Sequence, residues 1–334
     1  MNTMEQLISG FAVQMRNAHQ KFKDKPKAKG ILPIHHVVLA GLGGSGIGGN
    51  IVQSILFGHI KVPFEVIKHY DIPAYVGPNT LFIASSFSGN TEETLEATEK
   101  AQLAGAQIVC VASGGKIQKL AEEKGYDIYL LDSLAPCPRA HLPTSVTALL
   151  HLFEHYGLIT EGFTSVLLDV AAFLEAESDA IRAETKKLAP KLAQSFVFLY
   201  GSDYCAAVLV RLQQQINENA KQICHVGIVP EMNHNEFVGW VFPADVLKKS
   251  LVLQFHLAAD HPRVSSRFDI CKPFIAKASG QILDVKARGD HDLKQLFYFI
   301  LWGDWLSFEL AAQNNVDPYP VSVIDTLKKS LENV

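Results

Sequence analysis

Two short segments of this sequence have the residue types and spacing of anion-binding loops. The first, Gly41-Leu42-Gly43-Gly44-Ser45-Gly46-Ile47-Gly48-Gly49, satisfies G-x-G-x-x-G. That spacing lets backbone N–H groups face a phosphate at the start of a helix. It lacks the Gly-Lys-Ser/Thr ending of a Walker loop, so an ATPase is disfavoured. The second is Ser85-Ser86-Phe87-Ser88-Gly89-Asn90-Thr91-Glu92-Glu93-Thr94. Helix capping by Asn90 and Glu93 would explain one polar side chain there. It does not explain Ser86, Ser88 and Thr91 together, which suit neutral donors around phosphate oxygens. Neither loop contains Arg or Lys.

Four ionisable residues elsewhere have plain and functional readings side by side. Glu218 falls on a helix whose core stripe reads Leu209, Leu212, Ile216, Ala220 and Ile223. It lies on the other face with Arg211, Gln214 and Gln215, like a surface Glu paired to Lys221 at i+3. Arg139 sits in a loop stiffened by Pro136, Pro138 and Pro143, within reach of Asp132. His234 lies in a polar loop, and Lys328 beside Lys329 near the C-terminus. His151-Leu152-Phe153-Glu154-His155 has the H-x-x-E-H form of a zinc motif, but no third ligand stands out. It reads as a chance match on an amphipathic helix, and no metal site is expected.

Short apolar runs must position these groups. Strands are expected at His36–Ala40, Phe64–Ile67, Leu81–Ala84, Ile108–Val111 and Ile128–Leu131, with helices between them. Runs without alternation, separated by helices, imply a parallel sheet covered on both faces. Both anion loops then lie at carboxyl ends of strands, where open α/β sheets bind ligands. Residues 1–20 read as a helix with Leu7, Phe11, Met15 and Ala18 on one stripe. The Lys-rich run Lys21–Lys29 reads as a solvated connector, and residues 144–190 read as helical throughout. The rhythm then recurs, with strands at Phe196–Tyr200, 224–229, 251–256 and 282–286 and a closing helix at 293–313. The expected organisation is an N-terminal helix and linker (1–29), a first α/β domain (30–150), bridging helices (151–190) and a second domain with C-terminal helices (191–334).

At this point the sequence resembles the bifunctional phosphoglucose/phosphomannose isomerase family of SIS-domain proteins. The resemblance rests on Ser86–Thr94 after a Gly-Gly-Ser-Gly loop, Pro138-Arg139-Ala140-His141-Leu142-Pro143, Asn217-Glu218-Asn219-Ala220-Lys221, Pro230–Glu236 and Ile324-Asp325-Thr326-Leu327-Lys328. It implies two SIS-type, flavodoxin-like units, each a five-stranded parallel sheet between helices. It implies interconversion of glucose 6-phosphate, mannose 6-phosphate and fructose 6-phosphate without metal or other cofactor. Gly44, Ser45, Gly46, Ser86, Ser88 and Thr91 would hold the phosphate. Glu218 would be the base, Arg139 the enediolate-stabilising cation, and His234 with Lys328 the ring-opening pair. The family's members are homodimers, with the histidine supplied across the interface. His141 stands where a small residue is expected and would narrow the sugar site.

Composition bounds the alternatives. The 334 residues suggest two domains, and 48% apolar with 19% charged residues can fill a core. A net charge of −4 disfavours a nucleic-acid partner. The longest apolar stretch, 293–312, is broken by Asp304 and Glu309, so no membrane span is expected. Five scattered cysteines and no secretory pattern suggest the cytoplasm. A non-catalytic sugar-phosphate sensor would not need Glu218 and Arg139. A nicotinamide dehydrogenase rests only on the glycine pattern, with Asp71 the nearest acidic residue for a ribose.

Overall fold

The computed structural model describes residues 3–28 and 32–331. Residues 1–2 of the expected N-terminal helix and Lys29 of the basic run lie outside them. The described residues divide into two units: residues 9–175, and residues 3–8 with 176–331.

In the first unit, α2 (Phe11–Phe22) follows a short α1 (Met4–Ser9) that belongs with the second unit. Phe11, Met15, Ala18 and Phe22 form the buried stripe of α2, which lies on α6 (Leu142–His155). The lysines that follow are held by acids: Lys21 by Asp132, Lys25 by Asp127 and Lys27 by Glu161, at 2.5, 2.6 and 2.7 Å. The sheet consists of β1 (His36–Ala40), β2 (Phe64–Ile67), β3 (Thr80–Ser85), β4 (Gln107–Ala112) and β5 (Asp127–Leu130). All pairs are parallel, in the order β2-β1-β3-β4-β5. β3 is buried along its length, which accounts for its unbroken apolar pattern. Between the strands run α3 (Gly43–Leu56), α4 (Glu92–Leu103) and α5 (Gly115–Lys124). The order reverses between β1 and β3, so the loops after these strands flank a crevice at their carboxyl ends.

Residues 144–190 are helical but not continuous. α6 ends at His155, and α7 (Val166–Leu192) starts after a turn carrying Gly157 and Gly162, both at positive φ.

The second unit's sheet contains β6 (Phe196–Ser202), β7 (Cys224–Val229), β8 (Ser250–His256) and β9 (Gln281–Lys286), all parallel, in the order β7-β6-β8-β9. This repeats the first sheet's order with four strands where five were expected. The apolar segment after β9 instead forms α11 (Asp292–Gln313), buried nearly all round and packed on α8 (Ala206–Ala220). The short α9 (Ala244–Leu247), α10 (Pro262–Ala276) and α12 (Ser322–Leu331) complete the unit. No helix is long and apolar enough to cross a membrane among the described residues.

Candidate active site

The glycine loop turns from β1 into α3, and a Cβ placed on Gly46 would lie 2.4 Å from the Gly41 carbonyl. Only glycine permits that approach. Ser45, in the first turn of α3, is buried, and its Oγ accepts the Phe87 amide at 3.0 Å. With a lone pair so occupied, the hydroxyl keeps its proton for an acceptor in the crevice.

The serine loop leaves β3 and enters α4. Ser86 is buried, and its Oγ accepts the amides of Gly89 and Thr91 at 3.1 and 3.4 Å. It also shares a 2.8 Å hydrogen bond with Thr91 Oγ1. Ser88 is exposed and accepts the Asn90 amide at 3.3 Å. The alternative Asn90–Glu93 cap is not formed. Thr91 is the N-cap residue, without a side-chain cap bond, and Asn90 Oδ1 instead accepts the Lys116 amide at 3.1 Å. The loop interlocks with its neighbour after β4. Phe87 O accepts Ser113 N at 2.9 Å, and Gly89 O accepts Ile117 N at 3.0 Å. A Cβ on Gly89 would lie 1.8 Å from Gly114 O, and one on Gly115 2.4 Å from Ser88 O.

Arg139 is buried in a 3-10 turn, Pro138–His141. Its turn meets the glycine loop, since a Cβ on Gly44 would lie 3.4 Å from the Pro138 carbonyl group and 3.6 Å from Arg139 Cα. Asp132, the acid within reach of Arg139 by sequence, pairs with Lys21. His141 is fully buried. Its Nδ1 donates to Cys137 O at 2.9 Å, and its Nε2 accepts the Leu134 amide at 3.0 Å. This needs the neutral ring, and burial holds its pKa below the ordinary histidine value. The ring also lies 4.6 Å from that of Phe87. Gln14 on α2 donates to Ala140 O at 3.1 Å. His141 and Gln14 thus fix the arginine turn from inside. Sequence spacing gave no sign of Gln14, whose partner is 126 residues away.

Three loops therefore converge in the first unit, bringing together Gly44, Ser45, Gly46, Ser86, Ser88, Thr91 and Arg139. The remaining candidates lie in the second unit, on separate elements. Glu218 is half-buried near the end of α8. Lys221, at positive φ just past the helix, donates to the main-chain carbonyl of Glu218 at 2.7 Å. The same ammonium donates to Asp317 O and Pro320 O at 2.8 and 2.9 Å, fastening the end of α8 to the segment that enters α12. The neighbouring Asn219 donates to Ser307 on α11 at 2.9 Å. His234 is exposed at the end of the turn Glu231–His234. The next turn, Glu236–Gly239, is anchored by the Glu236 carboxylate, which accepts from Tyr200 and from His225 Nε2, the latter at 2.9 Å. Lys328 is exposed on α12, which has no buried residue.

The zinc-like motif is committed to protein partners. His151 Nε2 lies 3.2 Å from His19 Nδ1, and His155 Nδ1 lies 2.8 Å from the Tyr129 hydroxyl. Glu154 accepts the amides of Gly162 and Thr164 at 2.7 and 2.8 Å.

With this geometry, comparisons with known proteins agree across both units. A model of the SIS domain matches residues 30–136, and a model of the bacterial phospho-glucose isomerase C-terminal SIS domain matches residues 181–331. The chain is 37% identical over 308 residues to the bifunctional phosphoglucose/phosphomannose isomerase of Caldicellulosiruptor bescii, covering 90% of this chain and 91% of that one. The chain belongs to the bifunctional phosphoglucose/phosphomannose isomerase family. The family member from Aquifex aeolicus is 30% identical over 333 residues, 99% of each chain. Among solved structures, the C-terminal domain of glucosamine-fructose-6-phosphate aminotransferase from Francisella tularensis superposes with a TM-score of 0.75 at 14% identity, covering 96% of this chain and 99% of that one. At that identity the likeness shows the shared fold alone.

Proposed function

We propose that the protein is an aldose–ketose isomerase that interconverts glucose 6-phosphate, and also mannose 6-phosphate, with fructose 6-phosphate. The observation that carries this reading is the convergence of two donor-rich loops and a buried arginine turn at the switch point of the first sheet, in a member of this family. Hydroxyls of Ser45, Ser86, Ser88 and Thr91, with the backbone of Gly44 and Gly46, hold the phosphate.

His234 with Lys328 opens the ring: a proton leaves O1, another reaches O5, and the C1–O5 bond breaks. Glu218 then takes the proton on C2, and the electron pair moves to form the C1–C2 double bond, leaving negative charge on the enediolate oxygens. Arg139 stabilises that charge, an effect largest where water is excluded. Return of the proton to C1, with proton exchange from O2 to O1, gives the ketose. No step needs a metal or an external redox partner.

The protein acts as a homodimer in the cytoplasm, with His234 serving the partner's site. Supporting this are the exposure of His234 and of Val238, Val241 and Phe242 beyond it, and five buried cysteines, none in a disulfide.

The test is formation of fructose 6-phosphate from glucose 6-phosphate with EDTA present. The expected result is turnover by the wild type and a loss of at least roughly 10²-fold in Glu218→Gln. Turnover without that loss would overturn the role of Glu218. A ligand-induced melting shift without turnover would favour a sensor. Mixing Glu218→Gln with His234→Ala protomers should restore activity if the histidine crosses between subunits.

A further inference from the structure

We propose that Lys68 is the cationic arm of the phosphate site, its ammonium meeting the phosphomonoester held by the glycine and serine loops. The inference rests on the phosphate-site reading above and adds a charge that neither loop contains.

Lys68 is the first residue beyond β2, the strand beside β1. The last carbonyl of β2, on Ile67, accepts the Gly41 amide at 3.2 Å, so Lys68 emerges against the glycine loop. A Cβ placed on Gly46 would lie 3.3 Å from Lys68 Cε. The lysine stem thus runs alongside the first turn of α3. The segment beyond it is fastened to the helix that follows the serine loop. The Tyr70 hydroxyl donates to Glu92, the first residue of α4, and Lys100 of α4 donates to Tyr70 O and Asp71 Oδ1 at 3.1 and 2.6 Å. Residues 68–71 therefore cross from one phosphate loop to the other.

Charge supports the assignment. Lys21, Lys25, Lys27 and Lys100 of this unit each pair with a carboxylate. Among the described residues no carboxylate pairs with Lys68, nor with the exposed Lys61, Lys116, Lys119 and Lys124; what sets Lys68 apart is its stem against the glycine loop. Partial burial, with no compensating anion, pulls its pKa below the ordinary lysine value. The residue is exposed enough for a ligand to reach it. A dianion brought there would complete a charge-assisted hydrogen bond. The repeated topology points the same way: β7 holds in the second sheet the place of β2 in the first, and the turn after β7 carries His234.

The test measures inorganic phosphate binding by calorimetry, and the KM for glucose 6-phosphate, in wild type, Lys68→Met and Lys68→Gln. Phosphate affinity should fall roughly ten- to a hundredfold in both variants, as expected for a hydrogen bond to a charged group. KM should rise by a similar factor, with thermal unfolding unchanged. Phosphate affinity within twofold of wild type in both variants would overturn the inference, as would wild type that binds no phosphate. Binding is read without turnover. If the wild type binds phosphate but does not isomerise, the function reading fails alone. If it isomerises while Lys68→Met binds phosphate normally, only this inference fails.

Discussion

The Phe87 amide donates to Ser45 Oγ at 3.0 Å, and this single bond ties the serine loop to the glycine loop. Both residues are buried. Ser45→Ala would strand that amide, at a cost of about 1–3 kcal/mol. The expected outcome is a lower urea midpoint together with a raised KM for hexose phosphate. A variant with weakened catalysis and an unchanged midpoint would mean that the loops hold together without this bond.

Arg211 donates to both oxygens of Asp304, at 2.8 and 3.1 Å, with Gln215 adding a third bond to Asp304 Oδ1 at 2.8 Å. The pair is buried between α8 and α11. Removing one member leaves a buried charge, so Asp304→Asn should cost about 3–5 kcal/mol by chemical denaturation. The double replacement Arg211→Met with Asp304→Leu should recover much of that loss. Equal losses in the single and double variants would contradict the argument.

His151 is buried beside His19 and His155, and burial first, then those neighbours, lowers its pKa to about 4. The unfolded chain would bind a proton near 6.5, so the folded state is favoured by the neutral ring. Its contribution is intact above pH 6.5 and is lost progressively as pH falls toward 4, by about 1.4 kcal/mol per pH unit. His19, His141 and His155 are shifted in the same direction by burial. Stability should therefore fall between pH 6.5 and 5, before most carboxylates titrate. Denaturation midpoints across this interval check the slope, which should be shallower in His151→Gln.

Burial also governs the cysteines. The thiols of Cys110, Cys205 and Cys224 are pushed up to about 12, with burial the leading cause. All five cysteines are buried and unbridged. The native protein should react slowly with an aromatic disulfide reagent at pH 8, and in guanidinium chloride all five should react. A rapid native reaction at any of them would contradict the packing.

The first sheet was legible because strands buried on both faces show as continuous apolar runs, and the loops because hydroxyls and glycines cluster where two strands end. Helix periodicity was less complete. Ile223 fits the α8 stripe by spacing but is 75% exposed. The helix ends at Ala220, and Lys221 turns the chain at positive φ, so the 3.6-residue period no longer applies. Arg211 and Gln215 looked like a solvent face and are instead buried. Their partner, Asp304, lies 93 and 89 residues away, which no local pattern can reveal. The role of His141 was hidden for a related reason: its ring bonds only main-chain atoms, which carry no sequence signature.

The interlock of Gly89 with Gly114 and Gly115 has an evolutionary consequence. In a saturation library selected for activity, positions 114 and 115 should be depleted as sharply as Ser86, although they lie outside the hydroxyl-bearing segment. The recognition loop can drift only in concert with a neighbour whose side-chain-free backbone gives it shape. Intolerance at that pair would record moulding rather than molecular recognition.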